Sequence, residues 1–501
     1  MDSTRAWISS ADRGNSVRTV ATVVLLLVVI RTLRKHFTHP LYKIPGPRLA
    51  AWTNFPYSRM FLGGRQPYEM VALHEKYGPV VRVAPNEVSF SSPASWEDIY
   101  GFRPGHKTFV KSEFYDGGSF ADQVHSIVSE RDPVEHGRMR KYLSHAFSDA
   151  SIKKQEALIA ENVDLLIREL GSVGLGSEGI NIVKWFNLTT FDIIGSLAFG
   201  ESFGGLSSQI FHFWIDLVTK ALRQGALADT MSRFPFVAFL FRTLMPGTIR
   251  KFSEDTKTHE NHTMALIEKR LAKPKPRPDF LTRVLEQKED ITPVQLAAHA
   301  SDFVTAGSET TATTLSCITY YLLKDAVVED KVKREIRGAF SKYEDINSHT
   351  ATRLPYLRAV CLEAMRVYAP LPFALPRVVP EGGDTVDGIM LPAGTTVSTN
   401  PVAAGLSSAN WTNPYEFRPE RWLGKEKGDR LDAAQPFSLG PRGCLGRNLA
   451  WAELSTIISK LYFTYDLELL NKDLDWHRES RMATLWIKPE LRVRVKHRAD
   501  N

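Results

Sequence analysis

The 501-residue chain carries 43% hydrophobic and 24% charged side chains, proportions typical of a folded globular protein and unlike a disordered or fibrous one. Its net charge of +7 suits an anionic membrane surface or an acidic partner, but the basic residues form no arginine-rich block that would favour nucleic acid. The three cysteines, Cys317, Cys361 and Cys444, are too few and too scattered for a disulfide framework or a zinc site with paired ligands. The composition therefore indicates a reducing, cytosolic environment.

The N-terminus holds the most strongly biased segment of the chain. Thr19 to Ile30 is almost purely aliphatic, and basic residues follow it directly. A helix extended from Ser16 to Leu33, with its arginines snorkelling, would nearly cross a hydrocarbon core of ~30 Å. No small-residue cleavage site follows the run, which argues against a cleaved signal peptide. We therefore predict a membrane anchor in residues 1–40, and the positive-inside rule places the rest of the chain in the cytosol.

The segment after the anchor alternates between helical and extended patterns. Pro67 opens an apolar-periodic stretch that ends at Tyr77 and predicts a helix. Val80–Ala84 and Glu87–Ser91 alternate around Pro85-Asn86, which predicts a β-hairpin. Helical periodicity returns in three further stretches separated by glycine-rich breaks, namely Ile152–Leu170, Gln209–Leu222 and Asp255–Leu271.

The clearest predicted helix begins at Thr292. This residue is suited to the N-cap, Pro293 to the first helical position, and Gln295 to completing a capping box. No proline interrupts the pattern before Lys324. Because a run of about thirty residues far exceeds the mean helix length of about 11–12, we expect this helix to cross the whole molecule.

The remaining predicted elements are shorter. A helix is expected over Leu354–Val367, and strand-like stretches follow around Thr385–Val397. The sequence contains no repeat, no low-complexity tract and no long linker after residue 50. We therefore expect one domain over residues 41–501, mainly α-helical with small β-sheets.

One loop near the C-terminus is unusually rich in glycine and proline. Residues 437–446 read FSLGPRGCLG and place Cys444 just before a helical segment that starts near Arg447. Glycines let a flat ligand approach the backbone, and amides at a helix N-terminus stabilise a thiolate. A lone cysteine in such a turn is more often a small buried side chain. A phosphate-binding loop is a poorer interpretation, because the Gly-Lys-Ser/Thr ending is missing.

The complete ten-residue pattern resembles the cysteine-ligand loop of the cytochrome P450 family, Phe-x-x-Gly-x-Arg-x-Cys-x-Gly, at every fixed position. The resemblance extends over Pro45 to Val495 and is closest to microsomal-type members from filamentous-fungal secondary metabolism. It implies the fold of that family, with one long central helix. It also implies a haem b whose iron is bound by the thiolate of Cys444.

The same resemblance implies further haem contacts. It places Phe437 near the sulfur, and assigns haem propionates to three arginines: Arg140, Arg377 and Arg442. From the residues alone, Arg140 and His136, one helical turn apart, would be a solvated basic face. Many members of the family carry tryptophan at the position of His136.

A second motif lies inside the long helix, where residues 306–311 read AGSETT. Ala306 and Thr310 share a helix face, and Gly307 removes bulk beside them, which leaves room for a small ligand. A threonine in a helix more often bonds back to a carbonyl one turn earlier. The segment nevertheless resembles the family signature Ala/Gly-Gly-x-Asp/Glu-Thr. That resemblance implies that Glu309 and Thr310 are catalytic and deliver protons during the activation of dioxygen.

A third motif is an acid and a base three residues apart on one helix. Glu363 and Arg366 by themselves form an ordinary ion pair. The family resemblance adds Arg421, in the segment Pro419–Trp422, and implies that the three residues form a buried triad supporting the cysteine loop. Its expected role is folding and haem retention rather than catalysis.

The resemblance implies a monooxygenase that inserts one oxygen atom of O2 into an apolar small molecule, such as a terpenoid, a polyketide or a similar fungal secondary metabolite. The predicted substrate contacts come from the loop before Asp132, from Met482–Ile487, and from a set of mostly apolar residues: Phe303, Ala306, Phe373, Leu375 and Leu485. Each of these residues, taken by itself, is more typical of plain core packing than of a substrate contact.

Electrons have to come from a partner, because no flavin or pyridine-nucleotide fingerprint is visible in the sequence. We expect a separate NADPH-dependent reductase, with Arg138, Lys141 and Arg447 as candidates for its docking face. A membrane of the endoplasmic reticulum is the expected location. Two other classes stay open at this point. An oxygen-independent haem-thiolate isomerase or dehydratase would not need Glu309 and Thr310, and a haem-binding sensor often shows a Cys-Pro ligand.

Overall fold

The computed structural model describes residues 19, 20, 22, 23, 38–272, 278–286, 291–424 and 428–498. The predicted anchor over residues 1–40 lies largely outside these residues. Among the helices of the described ranges, none has the length and apolar character needed to cross a bilayer.

Helices dominate the described chain, as the sequence predicts. Numbered in chain order, the α-helices are α1 (Phe55–Leu62), α2 (Gln66–Tyr77), α3 (Pro93–Tyr100), α4 (Pro133–Ser144), α5 (Asp149–Val173), α6 (Ile182–Ala198), α7 (Gly205–Ser208), α8 (Phe213–Arg233), α9 (Pro235–Leu244), α10 (Pro246–Leu271), α11 (Phe280–Leu285), α12 (Pro293–Lys324), α13 (Ala326–Ala339), α14 (Ser348–Ala351), α15 (Pro355–Val367), α16 (Pro401–Leu406), α17 (Arg447–Thr464) and α18 (Trp476–Glu479). Short 3-10 helices cover Arg48–Ala51, Glu113–Gly118, Ala121–Gln123, Tyr343–Asp345, Pro419–Leu423, Leu431–Ala433 and Gly440–Arg442.

The strands form small sheets at the edges of the helical body. They are β1 (Val80–Ala84), β2 (Glu87–Phe90), β3 (Val110–Lys111), β4 (Ile180–Asn181), β5 (Arg377–Val378), β6 (Asp384–Val386), β7 (Ile389–Leu391), β8 (Thr396–Thr399), β9 (Tyr465–Leu469), β10 (Arg481–Ala483), β11 (Leu485–Ile487) and β12 (Arg492–His497). A five-stranded sheet has the order β1-β2-β8-β5-β3, and β4-β12-β9 form a second sheet. The predicted hairpin is confirmed as the antiparallel pair β1–β2, and β6–β7 and β10–β11 are further hairpins.

Helix α12 is the centre of the fold. It runs for 32 residues, and most of its second half is buried. It packs most extensively on α6, and also on α10, α15 and α17. Its start matches the prediction in part, because the Thr292 side chain accepts the amide of Gln295. The predicted return bond of a capping box is replaced, since the Gln295 side chain donates to the His125 carbonyl at 2.7 Å.

Two predicted helices differ clearly in their bounds. The pattern over Asp255–Leu271 predicted the end of α10 but not its start at Pro246. The pattern over Gln209–Leu222 predicted a helix that begins at Gln209, whereas α8 covers Phe213–Arg233. Gln209 has a positive φ of 57° and ends the short helix α7. The His212 side chain then caps α8 by accepting the Trp214 amide. Side-chain capping by His212, rather than hydrophobic periodicity, therefore sets the start of α8.

Candidate active site

The cysteine loop is held in a tight backbone path between α3 and α17. Gly440 has a positive φ of 66°, and a Cβ atom there would lie 2.0 Å from the Tyr100 carbonyl oxygen, so a larger residue does not fit. The Cys444 amide donates to the Phe437 carbonyl at 2.8 Å, and the Gly443 amide donates to Gly440 at 3.0 Å. These bonds fix Cys444 three residues before the first residue of α17.

The environment of the sulfur differs from the expectation based on sequence. Burial raises the pKa of the Cys444 thiol, and the Gly446 amide, Arg447 and Arg140 lower it by smaller amounts. The loop and helix terminus therefore do not make a thiolate by themselves. Cys444 nevertheless keeps accessible surface that a ligand would cover. A bound metal ion supplies the positive charge that such a thiol needs to lose its proton.

A cluster of three cations lies on the strands β3 and β5, where Lys111 and Arg377 are buried, and in the cysteine loop, where Arg442 is partly buried. Lys111 and Arg377 are directly opposite each other in the sheet. Burial, together with Arg442 and Arg377, lowers the pKa of Lys111 to about 6. Burial and Arg377 lower the pKa of Arg442 to about 10. Neighbouring cations therefore destabilise the charged forms of Lys111 and Arg442, as expected at a site that binds an anion.

The hydrogen bonds of this cluster also indicate that it binds an anion. Arg442 donates to the Glu130 and Arg131 carbonyls, both at 2.7 Å. The Lys111 ammonium donates to the carbonyls of residues 127 and 128. The Nη1 atom of Arg377 is buried without a hydrogen-bond partner, and no carboxylate of the described chain forms an ion pair with any of the three cations. An anionic ligand such as a carboxylate would supply the counter-charge and the acceptor for Arg377.

Helix α4 lies beside the cluster and touches the cysteine loop. Arg140 donates from Nη1 to the Gly443 carbonyl at 2.7 Å. His136 is buried, and burial together with the neighbouring Arg442 and Lys111 lowers its pKa to about 3. His136 is therefore neutral, unlike the solvated basic face that the residues alone would form. The contact shown for Arg140 is with the loop backbone, and its predicted contact with a propionate stays a prediction.

The AGSETT segment lies in the middle of α12. Thr310 donates its hydroxyl to the Ala306 carbonyl at 2.6 Å, as a helical threonine commonly does. Ala306 is nevertheless exposed, although α12 crosses the interior. Gly307 has a different role from the predicted one, because a Cβ atom there would lie 3.0 Å from Ile194 of α6. The glycine allows close packing of two helices instead of opening space for a ligand.

Glu363, Arg366 and Arg421 form a fully buried ion triad, with 0% side-chain exposure for each. Arg366 binds Glu363 through two bonds of 2.8 and 2.7 Å, and Arg421 lies at 3.3 Å. The Trp422 indole and the Arg418 amide also donate to the Glu363 carboxylate. Because every lone pair of the carboxylate has a donor nearby, the triad joins α15 rigidly to the segment before the cysteine loop.

Comparison with known proteins decides the family. The family model described as Cytochrome P450 matches residues 45–495. The chain is 60% identical over 442 residues to cytochrome P450 monooxygenase ORF11 of Penicillium roqueforti, covering 88% of this chain and 92% of that protein. It is 39% identical to cytochrome P450 monooxygenase BipB of Cochliobolus sativus, over 95% and 96% of the two chains. Cytochrome P450 monooxygenase aclL of Aspergillus oryzae is also 39% identical, over 95% and 98%.

The chain belongs to the cytochrome P450 family. It is a monooxygenase of this family, as the cysteine loop and the AGSETT segment together predicted. The residues present fit the haem that the family implies. Cys444 keeps surface that a ligand can cover, and among the described residues the cation cluster of Lys111, Arg377 and Arg442 has no carboxylate partner.

In this cytochrome P450 the predicted pocket residues do not form one cluster. Phe303 packs into the core against Phe147 and Phe280, with ring centroids 5.1 and 5.7 Å apart. Leu375 packs on the cluster around β1 and β2, and Leu485 is buried in β11. Phe303 is partly buried and packs against the core, and its predicted contact with substrate stays a prediction.

Phe373 lies in a small apolar cluster that joins several elements of this cytochrome P450. It packs with Phe114, at 5.6 Å between ring centroids, and with Phe61, Ala226 and Met482. Met482 belongs to the predicted segment 482–487, and Phe114 to the predicted loop before Asp132. Phe61 and Ala226 were missed, because α1 and α8 carry no motif that connects them with residue 373.

Lys111 and Lys488 were also missed by the sequence analysis. Lys111 stands alone between Val110 and Ser112, without a family motif around it. Lys488 forms an ion pair with Glu309 at 2.6 Å, although the two are 179 residues apart. The signal in the sequence that could have drawn attention to Lys488 is its position directly after the apolar segment Met482–Ile487.

Proposed function

We propose that this cytochrome P450 is a haem-thiolate enzyme of fungal secondary metabolism, formed as one domain over residues 41–501. It inserts one oxygen atom of O2 into an apolar small molecule of the terpenoid or polyketide type. The single observation that carries the proposal is the combination of Cys444 with surface accessible to a ligand, a cation cluster without a carboxylate partner among the described residues, and a central helix with Glu309 and Thr310.

Haem b would be held from two sides by residues of this chain. Cys444 would bind the iron, and Phe437, whose carbonyl accepts the Cys444 amide, would support the loop. Arg377, Arg442 and Lys111 would bind the two propionates, and each would then gain the counter-charge that it lacks. When bound, haem supplies the activation of dioxygen and the transfer of one oxygen atom.

Glu309 and Thr310 would handle protons at the centre of α12. The Thr310 hydroxyl donates to the Ala306 carbonyl and keeps its lone pairs free to accept a proton from a neighbouring donor. Glu309 is one residue away and 18% exposed, so it can exchange protons with water. An acid and an alcohol side by side can move a proton inward from solvent. An oxygen-independent isomerase or dehydratase would not need this pair.

The apolar cluster of Phe61, Phe114, Ala226, Phe373 and Met482 supports an apolar substrate. It joins α1, α8, the loop before α4 and the hairpin β10–β11, and Phe114 and Phe373 remain only partly buried. A substrate that covers these two rings would bury further apolar surface, worth about 25 cal/mol per Å2.

The proposed reaction is tested by reconstituting the full-length protein with haem, an NADPH-dependent P450 reductase, NADPH and a panel of terpenoid and polyketide scaffolds. We expect an NADPH-dependent product whose mass is higher by one oxygen atom, and 18O from labelled O2 in that product. Isomerised product without NADPH would identify an isomerase or a dehydratase. Tight haem binding with no turnover on any scaffold would favour a sensor.

Thr310→Val is expected to uncouple NADPH consumption from product formation. Valine keeps the β-branched shape, so the helix and haem binding should survive, while the proton-handling hydroxyl is lost. We expect less product per NADPH and more hydrogen peroxide. Thr314→Val is the matched control, because Thr314 makes the same type of bond, to the Thr310 carbonyl at 3.0 Å, one turn further along. Equal product per NADPH in Thr310→Val and parent enzyme would remove Thr310 from catalysis.

A separate reductase would dock on the face that carries the cysteine loop. Arg138 and Lys141 are exposed on α4, and Arg447 is exposed at the start of α17. Arg140 of the same α4 bonds to the cysteine loop, so this face lies close to Cys444. Exposed cations near the cofactor suit an acidic electron-transfer partner.

We further propose that residues 1–40 anchor the enzyme in the endoplasmic reticulum membrane, with the catalytic domain in the cytosol. The support is the aliphatic run Thr19–Ile30 with its basic C-terminal flank. Deleting residues 1–33 is expected to move much of the protein to the soluble fraction after a high-salt wash. Replacing Leu25, Leu26 and Leu27 by serine keeps the length and should act in the same direction. An unchanged membrane fraction would mean that another part of the chain holds the membrane.

A further inference from the structure

Lys488 is a buried lysine on the edge of the proposed catalytic pair. It directly follows β11, and its side chain is only 3% exposed. Its ammonium lies 2.6 Å from Oε2 of Glu309 and 3.1 Å from the hydroxyl of Thr313. A buried ammonium costs free energy unless it is paired with an anion and hydrogen-bonded. Glu309 supplies the anion and Thr313 a further hydrogen bond for Lys488.

The two partners lie on one face of α12. Glu309 and Thr313 are four residues apart, so their side chains are stacked one turn above the other. Lys488 bridges them from the C-terminal part of the chain. Among the described residues, Lys488 is the one donor to the Glu309 carboxylate, and it bonds Oε2. The other oxygen, Oε1, therefore has no donor from the described chain. One carboxylate oxygen is therefore fixed and the other is available to water.

We propose that Lys488 is a positioning residue for Glu309. By holding Oε2, it sets the rotamer of the carboxylate and leaves Oε1 as the oxygen that exchanges protons beside Thr310. This inference rests on the proposed function of Glu309. Without the ammonium, the largely buried carboxylate loses its counter-charge and its fixed orientation, and proton delivery slows.

The consequence is measurable without knowledge of the substrate, from the reduction of O2 by the reconstituted enzyme. Two electrons and two protons convert O2 to hydrogen peroxide, whereas four electrons and four protons convert it to two molecules of water. NADPH supplies two electrons through the reductase, so the ratio of NADPH to O2 consumed is one for peroxide and two for water. Slower proton delivery shifts this ratio towards one.

Lys488→Met is expected to lower the ratio of water to peroxide on the order of tenfold, less than the about 10²–10⁴-fold effect of losing a general acid altogether. Lys488→Arg, which keeps a cation, should restore most of the parent ratio. Lys496→Met is the matched control, because Lys496 forms an exposed ion pair with Glu468 at 2.8 Å on neighbouring strands. Haem content and the spectrum of the reduced carbon-monoxide complex verify that each variant is folded.

A double-mutant cycle separates positioning from a general structural role. If Lys488 acts through Glu309, then Lys488→Met adds nothing to Glu309→Gln. Should Lys488→Met fail to retain haem, Lys488→Gln, which keeps a donor but no charge, takes its place in the cycle.

Three results would overturn the inference. They are a parent-like water-to-peroxide ratio in the Lys488 variants, an effect that adds to that of Glu309→Gln, and a parent enzyme that forms only peroxide. A parent enzyme that consumes no O2 with NADPH would overturn the proposed function itself and the inference with it. The two failures are therefore distinguishable by the parent enzyme alone.

Discussion

Cys444→Ser is expected to abolish the thiolate-type Soret band of the reduced carbon-monoxide complex. A neutral hydroxyl cannot supply the electron density that a thiolate gives to iron. The backbone of the loop should be unaffected, because its bonds run through the Cys444 amide and the Gly440 carbonyl rather than through the sulfur. The loss should therefore be spectroscopic and catalytic, with haem content measured in parallel to separate it from simple loss of the cofactor.

A second cysteine of the chain, Cys361, provides the control. Cys361 is fully buried, and burial raises the pKa of its thiol to about 12, so it is an inert core side chain. Cys361→Ala should keep the thiolate-type band with some loss of thermal stability. If Cys444→Ser kept the band, or if Cys361→Ala lost it with haem still bound, the assignment of the ligand would be wrong.

Arg366→Leu is expected to destabilise the fold by about 3–5 kcal/mol, because it leaves the buried carboxylate of Glu363 without its main counter-charge. The guanidinium also donates to the carbonyls of Gly405, Pro414 and Glu416, at 2.6, 2.7 and 3.0 Å, and these acceptors would be left buried. Since the segment held in this way leads to the cysteine loop, haem retention should fall together with stability.

The measurement is the unfolding midpoint in denaturant together with the haem content of purified protein. Arg358→Leu is the matched control, since Arg358 is exposed on the same helix and stacks on Trp451 at 4.2 Å. That change should cost far less, as surface substitutions usually do. Equal midpoints for the two variants would mean that the triad does not stabilise the fold.

Several parts of the structure could be predicted from short stretches of sequence. The hairpin β1–β2 and the long helix α12 were found because their signals are local, namely alternation around a turn and a capped run free of proline. The fold class followed from the same patterns. The sequence located the cysteine loop but predicted its glycines to admit a flat ligand, whereas the structure shows that Gly440 is restricted to glycine by a positive φ against the Tyr100 backbone.

The sequence by itself determined the family, the cysteine loop and the position of the acid and alcohol on the central helix, because each is encoded within about ten consecutive residues. Only the tertiary structure decided which residues surround them. Gly307 faces Ile194 instead of an open space, Lys111 joins Arg377 across a sheet, and Lys488 holds Glu309 from 179 residues away. The physical reason is that the partner of a buried charge, or of a packed helix face, is whichever residue the fold brings close in space. Such partners can lie at any distance along the chain, so no local sequence pattern reveals them.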